Sequence, residues 1–219
     1  MKIEQTHQVL NILVIGANGG IGRQTVDLAL AAGHKVTALV RNPAKLTIKH
    51  ANLEIVQGDV MHHETFEKYL ENKDAVISAI GVNSLKPTTL YSEGNKNLIA
   101  TMNKKGIKRA FFISASAIEI SPVQPFFVRL FTKYILQKIL QNPYDDQRIM
   151  ERLIKESDIN WTIMRPPRLL DKPATGHYRV AINVFLKNCL TISRADVAHF
   201  MISNIKNETT YKAIIEIAY

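Results

Sequence analysis

Cysteine is almost absent from this chain: Cys189 is the single cysteine among 219 residues, so an internal disulfide is excluded. Apolar runs are also short. None approaches the roughly 18 residues that cross a bilayer as a helix, so we expect no membrane span. Residues 1–8 are polar and show no secretory-signal pattern. These features are typical of a protein from a reducing compartment, and we predict a cytoplasmic location.

Lys and Arg outnumber Asp and Glu, and the formal net charge is +9. Such an excess occurs in proteins that bind nucleic acid or an anionic surface. Here the basic residues are scattered and no recognised nucleic-acid motif accompanies them, so we expect no nucleic-acid partner. A basic field that attracts a multiply charged dinucleotide is the simpler interpretation. We also predict no metal site, because His62 and His63 are adjacent and would diverge, and no other histidine has ligand spacing.

The most specific pattern is a glycine-rich turn between a strand and a helix. The β-branched run at residues 11–15 indicates a buried strand, and residues 23–32 have helical apolar periodicity. Gly16 permits a tight turn, Gly19 lets the backbone approach a pyrophosphate, and Gly22 lets helix and strand pack closely. The helix N-terminus then offers unpaired N–H groups to phosphate. The pattern predicts dinucleotide binding by the turn residues Gly16, Asn18, Gly19, Gly20, Ile21 and Gly22.

Strand-like and helical segments alternate along the rest of the chain. Apolar runs of strand length occupy residues 35–40, 53–56, 75–80, 109–114, 161–164 and 213–217. Helical periodicity lies between them, for example at residues 93–105, 144–157 and 194–204. Alternating strands and helices with continuous apolar strands predict a parallel sheet covered on both faces. We therefore expect an α/β protein: a doubly wound, mainly parallel sheet with a Rossmann fold, as one domain over residues 1–219.

One segment departs from this alternation. Residues 126–140 are strongly apolar, are interrupted by Arg129, Lys133 and Lys138, and are bracketed by prolines. A helix packed on its own domain is the plainest interpretation. The alternatives are a helix that caps the substrate cleft, packs in a dimer or touches a membrane surface.

The residue that follows the second predicted strand bears on cofactor choice. An acidic residue there would pair with the ribose hydroxyls of NAD, but no acid lies between Val36 and Lys49. Arg41 and Lys45 occupy this stretch instead, and a guanidinium suits the 2′-phosphate of NADP. The sequence thus predicts NADPH as the cofactor. An exposed loop arginine without a ligand is the alternative for Arg41.

Further cofactor contacts are expected where other strands end, because ligands of such sheets bind beyond the carboxyl ends of the strands. Asp59 and Val60 follow the third strand and are placed to meet the adenine. An ordinary helix cap is the alternative for Asp59. Ala79, Ile80 and Gly81 follow the fourth strand, where they would let the backbone pass close to the cofactor.

Two serines end the fifth predicted strand, beside the expected position of the nicotinamide. A hydroxyl from Ser114 or Ser116 could bond the nicotinamide amide or a substrate carbonyl. Serines also cap turns, and this remains the alternative for both.

Dehydrogenases that act on alcohols often use Tyr-x-x-x-Lys, in which the lysine lowers the pKa of the tyrosine. Tyr134-x-x-x-Lys138 has the right residues but lies in the apolar segment, before the expected helix. Tyr144-x-x-x-Arg148 lies where the motif belongs but carries arginine. Neither pair meets both criteria. We keep Tyr144 as the candidate base and expect it to contribute little.

With these residues identified, the chain resembles the atypical short-chain dehydrogenase/reductase family with an NAD(P)H-binding domain. Within that family it is similar to the biliverdin reductase B, or flavin reductase, group. The glycine spacing G-x-x-G-x-x-G is one shared feature. The other matching segments are Leu39 to Asn42, Gly58 to Val60, Pro87 to Thr89, Ser92 to Gly94, Asp145-Asp146, Glu156-Ser157, Met164 to Asp171, Thr175 to Tyr178 and Asp196 to Phe200.

This resemblance implies NADPH and hydride transfer to a flat conjugated acceptor, such as a flavin or a linear tetrapyrrole. It places Pro166 against the cofactor and the active-site serine of the family on Ser116. The histidine of the family falls on Arg168, which cannot donate a proton near neutral pH but could attract an anionic acceptor.

We accordingly predict an NADPH-dependent reductase of a small-molecule acceptor: a flavin (FMN or FAD as substrate), a quinone-like compound or a tetrapyrrole. The C-terminal half would form the acceptor cleft, with Ser116, Arg168 and Tyr144 as its candidate residues. The alternatives are a non-catalytic dinucleotide sensor of the NmrA type and an enzyme similar to sugar-nucleotide epimerases.

Overall fold

In the computed structural model, which describes residues 8–219, the molecule is organised around a mainly parallel sheet. The strands are β1 Asn11–Ile15, β2 Lys35–Val40, β3 Leu53–Gln57, β4 Ala75–Ser78, β5 Arg109–Ile113, β6 Asn160–Arg165, β7 Arg168–Leu170, β8 Arg179–Ile182, β9 Thr191–Ser193 and β10 Ala213–Ala218. Within this part of the chain the main sheet has eight strands in the order β3-β2-β1-β4-β5-β6-β10-β8. Only β8 runs antiparallel to its neighbour in that sheet, and β7 pairs with β9 separately.

Helices cover both faces of the sheet. They are α1 Gly20–Ala31, α2 Leu90–Lys104, α3 Phe126–Phe131, α4 Gln137–Ile139, α5 Gln141–Lys155 and α6 Arg194–Ser203, with a π turn at Thr132–Leu136 between α3 and α4. Successive side chains of β1 point to opposite faces, as in any strand. Ile12 and Val14 therefore pack with α1 and α6, whereas Leu13 and Ile15 pack with α2 and α5. The prediction of a doubly wound Rossmann fold is confirmed.

Two buried carboxylates join the segments that surround the sheet. Asp146 on α5 accepts hydrogen bonds from the backbone N–H groups of Tyr91 (2.8 Å) and Ser92 (3.3 Å), and so caps the start of α2. Asp196 on α6 accepts from the backbone N–H groups of Thr175 (2.8 Å) and Gly176 (2.9 Å). Several segments that carried the family resemblance thus take part in hydrogen bonds that hold the fold together.

The boundaries and the small strands differ from the sequence prediction. The first helix begins at Gly20 rather than at residue 23, because Gly19 already serves as its N-cap. β7, β8 and β9 were not predicted. They are three or four residues long, and tertiary pairing decides whether such short runs become strands.

The apolar segment at residues 126–140 is helical but is packed on the domain along one side only. Its partly buried positions are Val128, Thr132, Leu136, Gln137 and Leu140, and its remaining side chains are exposed. The interpretation of a helix packed on its own domain therefore holds for that side alone. No helix within residues 8–219 is both long and apolar enough to cross a bilayer.

Candidate functional site

A cleft of about 790 Å³ opens at the carboxyl ends of β1, β2, β4 and β5. β2 and β4 flank β1 in the sheet, so the cleft lies where the strand order reverses, the usual ligand position in such folds. The residues predicted for the cofactor that line it are Gly16, Asn18, Gly19, Gly20, Ile21, Arg41, Lys45, Asp59, Val60, Ala79, Ile80, Gly81 and Ser114. Gly22 and Pro166 do not line it.

The glycine turn brings backbone segments together more closely than residues with side chains would allow. Gly16 has φ +77°, and a Cβ there would lie 2.5 Å from the carbonyl oxygen of Ala79. Gly22 lies beneath the turn, where a Cβ would overlap the Gly16 carbonyl oxygen and lie 2.8 Å from its carbon. The Gly19 N–H donates to the Gly16 carbonyl at 2.8 Å, which closes the turn. These contacts leave the N-terminus of α1 facing the cleft, as a bound pyrophosphate requires.

Arg194 is a site residue that sequence reasoning missed. Its side chain crosses the first residue of α1, since a Cβ on Gly20 would meet Arg194 Cδ and would lie 2.6 Å from Arg194 Nε. Arg194 Nη1 also pairs with Asp171 Oδ1 at 2.8 Å. A cation thus lies over the helix N-terminus on which phosphate would bind. A glycine at position 20 is consistent with a side chain packed closely against the start of α1. The sequence does not indicate that this side chain is Arg194, because only the tertiary fold brings the two positions together.

The end of the cleft nearest β2 carries positive charge. Arg41 and Lys45 are exposed and line it, and Asn18 Nδ2 donates to the Asn42 carbonyl at 3.0 Å, which holds the glycine turn against this loop. Among the described residues that line the cleft, Asp59 alone is acidic, and one of its oxygens accepts from the Met61 N–H at 3.0 Å. Asp59 therefore also closes a local turn, but it is not the helix cap considered as its alternative, since the next helical turn, His63–Thr65, has His62 as its N-cap.

The opposite end, past β4 and β5, is lined by buried polar side chains. They are Ser114, 4% exposed, Tyr91, 6% exposed, and Gln147, 7% exposed. The Tyr91 hydroxyl accepts from the Val82 N–H at 3.2 Å, and burial raises the pKa of that phenol. Gln147 Oε1 is buried without a hydrogen-bond partner among the described residues. An acceptor atom left in this state suits a ligand that brings an N–H or O–H group.

An ion pair behind this end holds the helix that carries Gln147. Arg165, the last residue of β6, makes two hydrogen bonds to Glu151 on α5, at 2.8 and 2.6 Å, and both residues are buried. Burial opposes ionisation of Glu151, but the hydrogen bonds from Arg165 outweigh it, so the pKa of Glu151 is lowered. Gln147 lies one turn before Glu151 on the same face, so the ion pair orients it.

The three residues predicted for chemistry do not line the cleft. Ser116 lines a separate cavity of about 50 Å³ under α3, and its backbone N–H donates to the Pro166 carbonyl at 3.0 Å. Arg168 is an exposed residue of β7 beside Leu169, which does reach the cleft. Tyr144 is buried, and burial raises its pKa to about 12.

The physical reasons for these differences are local. Ser114 and Ser116 are two residues apart after β5, and of the two only Ser114 lines the cleft, because the chain turns at residues 116–118. Tyr144 lies in the first turn of α5, between the helix and its own domain, where a phenolate is disfavoured. Tyr134 is 53% exposed on the π turn, so the Tyr134-x-x-x-Lys138 pair is also away from the cleft.

Comparison with known proteins identifies the family of the chain. Residues 16–208 match the family model described as NAD(P)H-binding. The photosystem II assembly factor Ycf39 of Synechocystis is 30% identical over 160 residues, which cover 71% of this chain and 44% of that protein. An uncharacterized chloroplastic protein of Arabidopsis thaliana is 27% identical over 99% of this chain and 79% of its own length.

Solved structures show the same fold. The anaerobillin reductase ChuY of Escherichia coli O157:H7 superposes with a TM-score of 0.79 at 20% identity, over 95% of this chain and 96% of that one. The matched family residues include the glycine turn, the basic loop after β2 and Arg194, and they leave out only short segments at the two ends. The chain belongs to the NAD(P)H-binding family.

Proposed function

We propose that this protein is an NADPH-dependent reductase that transfers hydride to a flat, conjugated small molecule. The observation that carries the proposal is the charge pattern of the cleft. One end presents the exposed cations Arg41 and Lys45, and the other is lined by buried polar side chains. NADPH has a matching asymmetry, because its 2′-phosphate lies at the adenosine end and its carboxamide at the nicotinamide end.

The residues of the chain divide into three groups along the cofactor. Arg41, assisted by Lys45, binds the 2′-phosphate through charge-assisted hydrogen bonds. The backbone N–H groups at the N-terminus of α1 bind the pyrophosphate from one side, where Gly19 leaves room for it, and Arg194 adds a cation from the other. Each of these contacts uses backbone N–H groups or side-chain donors that already face the cleft.

At the nicotinamide end, Gln147 Oε1 accepts a hydrogen bond from the carboxamide, and Ser114 borders the reacting edge. We therefore assign to Ser114 the acceptor contact that the family resemblance gave to Ser116. NADPH, when bound, supplies a hydride, and a flavin or quinone takes it with a proton from water, which balances the two-electron reduction. The chain then contributes orientation and exclusion of water rather than a base, so a tyrosine outside the cleft is no obstacle.

The acceptor class rests on the family resemblance, which favours a flavin, a quinone-like molecule or a linear tetrapyrrole. The reductase name of ChuY agrees with a reductive reaction. Arg168 lies on the exposed side of β7, one residue from Leu169 in the cleft wall, and we assign it the attraction of an anionic acceptor.

A regulatory or assembly role is the second candidate, and a specific observation favours it. No residue of the two candidate pairs, Tyr134 with Lys138 and Tyr144 with Arg148, lines the cleft. A relative is also named an assembly factor. Such a protein would bind NADPH and present a surface to a partner without turning the cofactor over.

Steady-state oxidation of NADPH, followed by absorbance, separates the two. Wild-type protein is assayed with FMN, FAD, a water-soluble quinone and biliverdin, each against a blank without acceptor. We expect at least one acceptor to raise the rate, and Gln147→Leu to lower that rate while NADPH still binds. Tight NADPH binding in a calorimetric titration, with no stimulated turnover by any acceptor, would instead support the regulatory role.

A further inference from the structure

The segment from α3 to α4 presents an apolar stripe that nothing in the described chain covers. Its outward side chains are Phe127, Leu130, Phe131, Tyr134, Ile135 and Ile139, with exposed fractions from 38% for Leu130 to 80% for Phe127. Single exposed apolar residues are ordinary on protein surfaces, but a contiguous stripe of aromatic and branched side chains marks an interaction site. We refer to these six residues as the outer stripe.

The outer stripe is held in place rather than loosely attached. The opposite side of the segment, at Val128, Thr132, Leu136 and Leu140, is partly buried against the domain. Gln137 Nε2 donates to the Ala117 carbonyl at 2.8 Å, which ties α4 to the loop that follows β5. The domain therefore fixes which side of the segment faces outward.

The π turn keeps that orientation along the segment. Inward positions recur every four residues, and Phe127, Phe131, Ile135 and Ile139 recur every four residues on the outside. In a regular α-helix with 3.6 residues per turn, a four-residue repeat drifts around the axis. The wider turn at Thr132–Leu136 compensates for this drift, so that Ile139 remains on the same side as Phe127.

The charged side chains within the segment itself all have one sign. Arg129, Lys133 and Lys138 are exposed, and no acidic residue occurs between Glu119 and Asp145. Pairing of this face with a second copy of itself would bring the same cations together across a two-fold axis, which opposes self-association. A surface of anionic headgroups over apolar chains complements both the cations and the stripe.

We propose that the outer stripe docks on the surface of an anionic lipid bilayer, with its aromatic and branched side chains in the boundary between headgroups and acyl chains. Docking of this kind is peripheral, because the segment lies along the interface and does not cross it. The segment follows β5, so it joins the sheet at the edge where the cleft opens. The proposal does not depend on the reductase reaction, since it concerns residues outside the cleft.

Vesicle binding of the full chain tests the proposal. Protein is floated with vesicles of phosphatidylcholine alone and of phosphatidylcholine with 30% phosphatidylglycerol. We expect binding to the anionic vesicles to exceed binding to the neutral ones by about tenfold or more, as expected for three cations near the surface, and to weaken with salt. Equal binding to both vesicles, or no binding to either, would overturn the proposal.

Matched variants locate the contact. The double variant Phe127→Glu/Phe131→Glu removes two apolar side chains of the outer stripe and should lose binding to anionic vesicles. The control Val184→Glu/Leu190→Glu makes the same charge change at exposed apolar residues outside the outer stripe, 67% and 51% exposed, and should bind as wild type within about threefold. Equal losses in both variants would mean that net charge alone governs binding, and would refute docking through the stripe.

Three further measurements complete the test. Thermal unfolding and NADPH titration of each variant should match wild type, because the substituted residues are exposed and lie outside the cleft. Light scattering without lipid should give a monomer mass for wild type. A dimer that the Phe127→Glu/Phe131→Glu variant dissociates would show that the stripe joins copies of the chain, and would overturn lipid docking.

Discussion

Arg194 and Gly20 provide the sharpest test of the proposed cofactor site, because the structure couples them through one contact. The Arg194 side chain occupies the space that a Cβ on Gly20 would fill, over the N-terminus of α1. If the guanidinium binds the pyrophosphate there, Arg194→Ala removes a hydrogen bond between charged groups. Such a bond contributes about 1.5–3 kcal/mol, so affinity should fall by roughly 10–150-fold.

The pyrophosphate is common to both nicotinamide cofactors, so NADPH and NADH should lose affinity in parallel. The fold should tolerate the change. The ion pair between Arg194 and Asp171 involves a carboxylate whose side chain is 88% exposed, and pairs of that kind contribute about 0–1 kcal/mol to stability. Thermal unfolding of Arg194→Ala without cofactor should therefore stay close to that of wild type.

Gly20→Ala reaches the same contact from the other side. The added methyl group meets the flexible end of a side chain rather than backbone, so Arg194 must swing away while the helix remains intact. We expect Gly20→Ala to reproduce most of the loss of affinity. The double variant should bind the cofactors no more weakly than Arg194→Ala alone, because Arg194→Ala has already removed the contact that Gly20→Ala would disturb.

Calorimetric titration of both cofactors into wild type, the two single variants and the double variant completes the cycle. Arg152→Ala is the matched control, since Arg152 is exposed on α5 and does not line the cleft. Arg194 does not bind the pyrophosphate as proposed if Arg194→Ala leaves both affinities unchanged, if NADPH alone is weakened, or if the losses from the two single variants add.

Three other outcomes are expected. Arg41→Ala should weaken NADPH by roughly 10–150-fold and leave NADH nearly unchanged, with a smaller effect for Lys45→Ala; parallel losses of both cofactors in titrations would make Arg41 a mere loop charge. Gly22→Ala should lower the free energy of unfolding by about 1–3 kcal/mol in denaturant titrations, because the methyl group overlaps the Gly16 carbonyl; wild-type stability would show that the turn adapts. Tyr144→Phe should keep turnover within tenfold of wild type, because burial raises the pKa of this tyrosine to about 12; a loss of about 100-fold would identify it as a general acid or base.

The sequence predicted those parts of the fold and site that depend on local pattern. Four consecutive apolar residues before Gly16 predict β1, and the glycines that follow predict the turn, because each requirement is met within a few residues. The loop with Arg41 and Lys45 was found in the same way, from its distance to the glycine turn. Such features need no knowledge of what packs against them.

The rest of the site was not predictable because it depends on contacts between distant parts of the chain. Arg194 reaches Gly20 across more than 170 positions of sequence, and Gln147 is brought to the cleft by the ion pair between Glu151 and Arg165. A glutamine on an amphipathic helix carries no sign of where its helix will be held. Local pattern left Ser114 and Ser116 as equal candidates, because the turn after β5 decides which of the two lines the cleft.

The outer stripe illustrates a limit of periodicity itself. Apolar residues at helical spacing predict that one side of a helix will be covered, but they do not state by what. In α1 the apolar side is covered by the sheet and α6, and the burial of Val26 and Ala29 is complete. In the segment from α3 to α4, the side that packs on the domain includes the polar residues Thr132 and Gln137. The more apolar side, which carries the outer stripe, remains at the surface. Burial of such an exposed apolar side against a partner lowers the free energy, and the three cations within the segment favour the anionic surface that we propose.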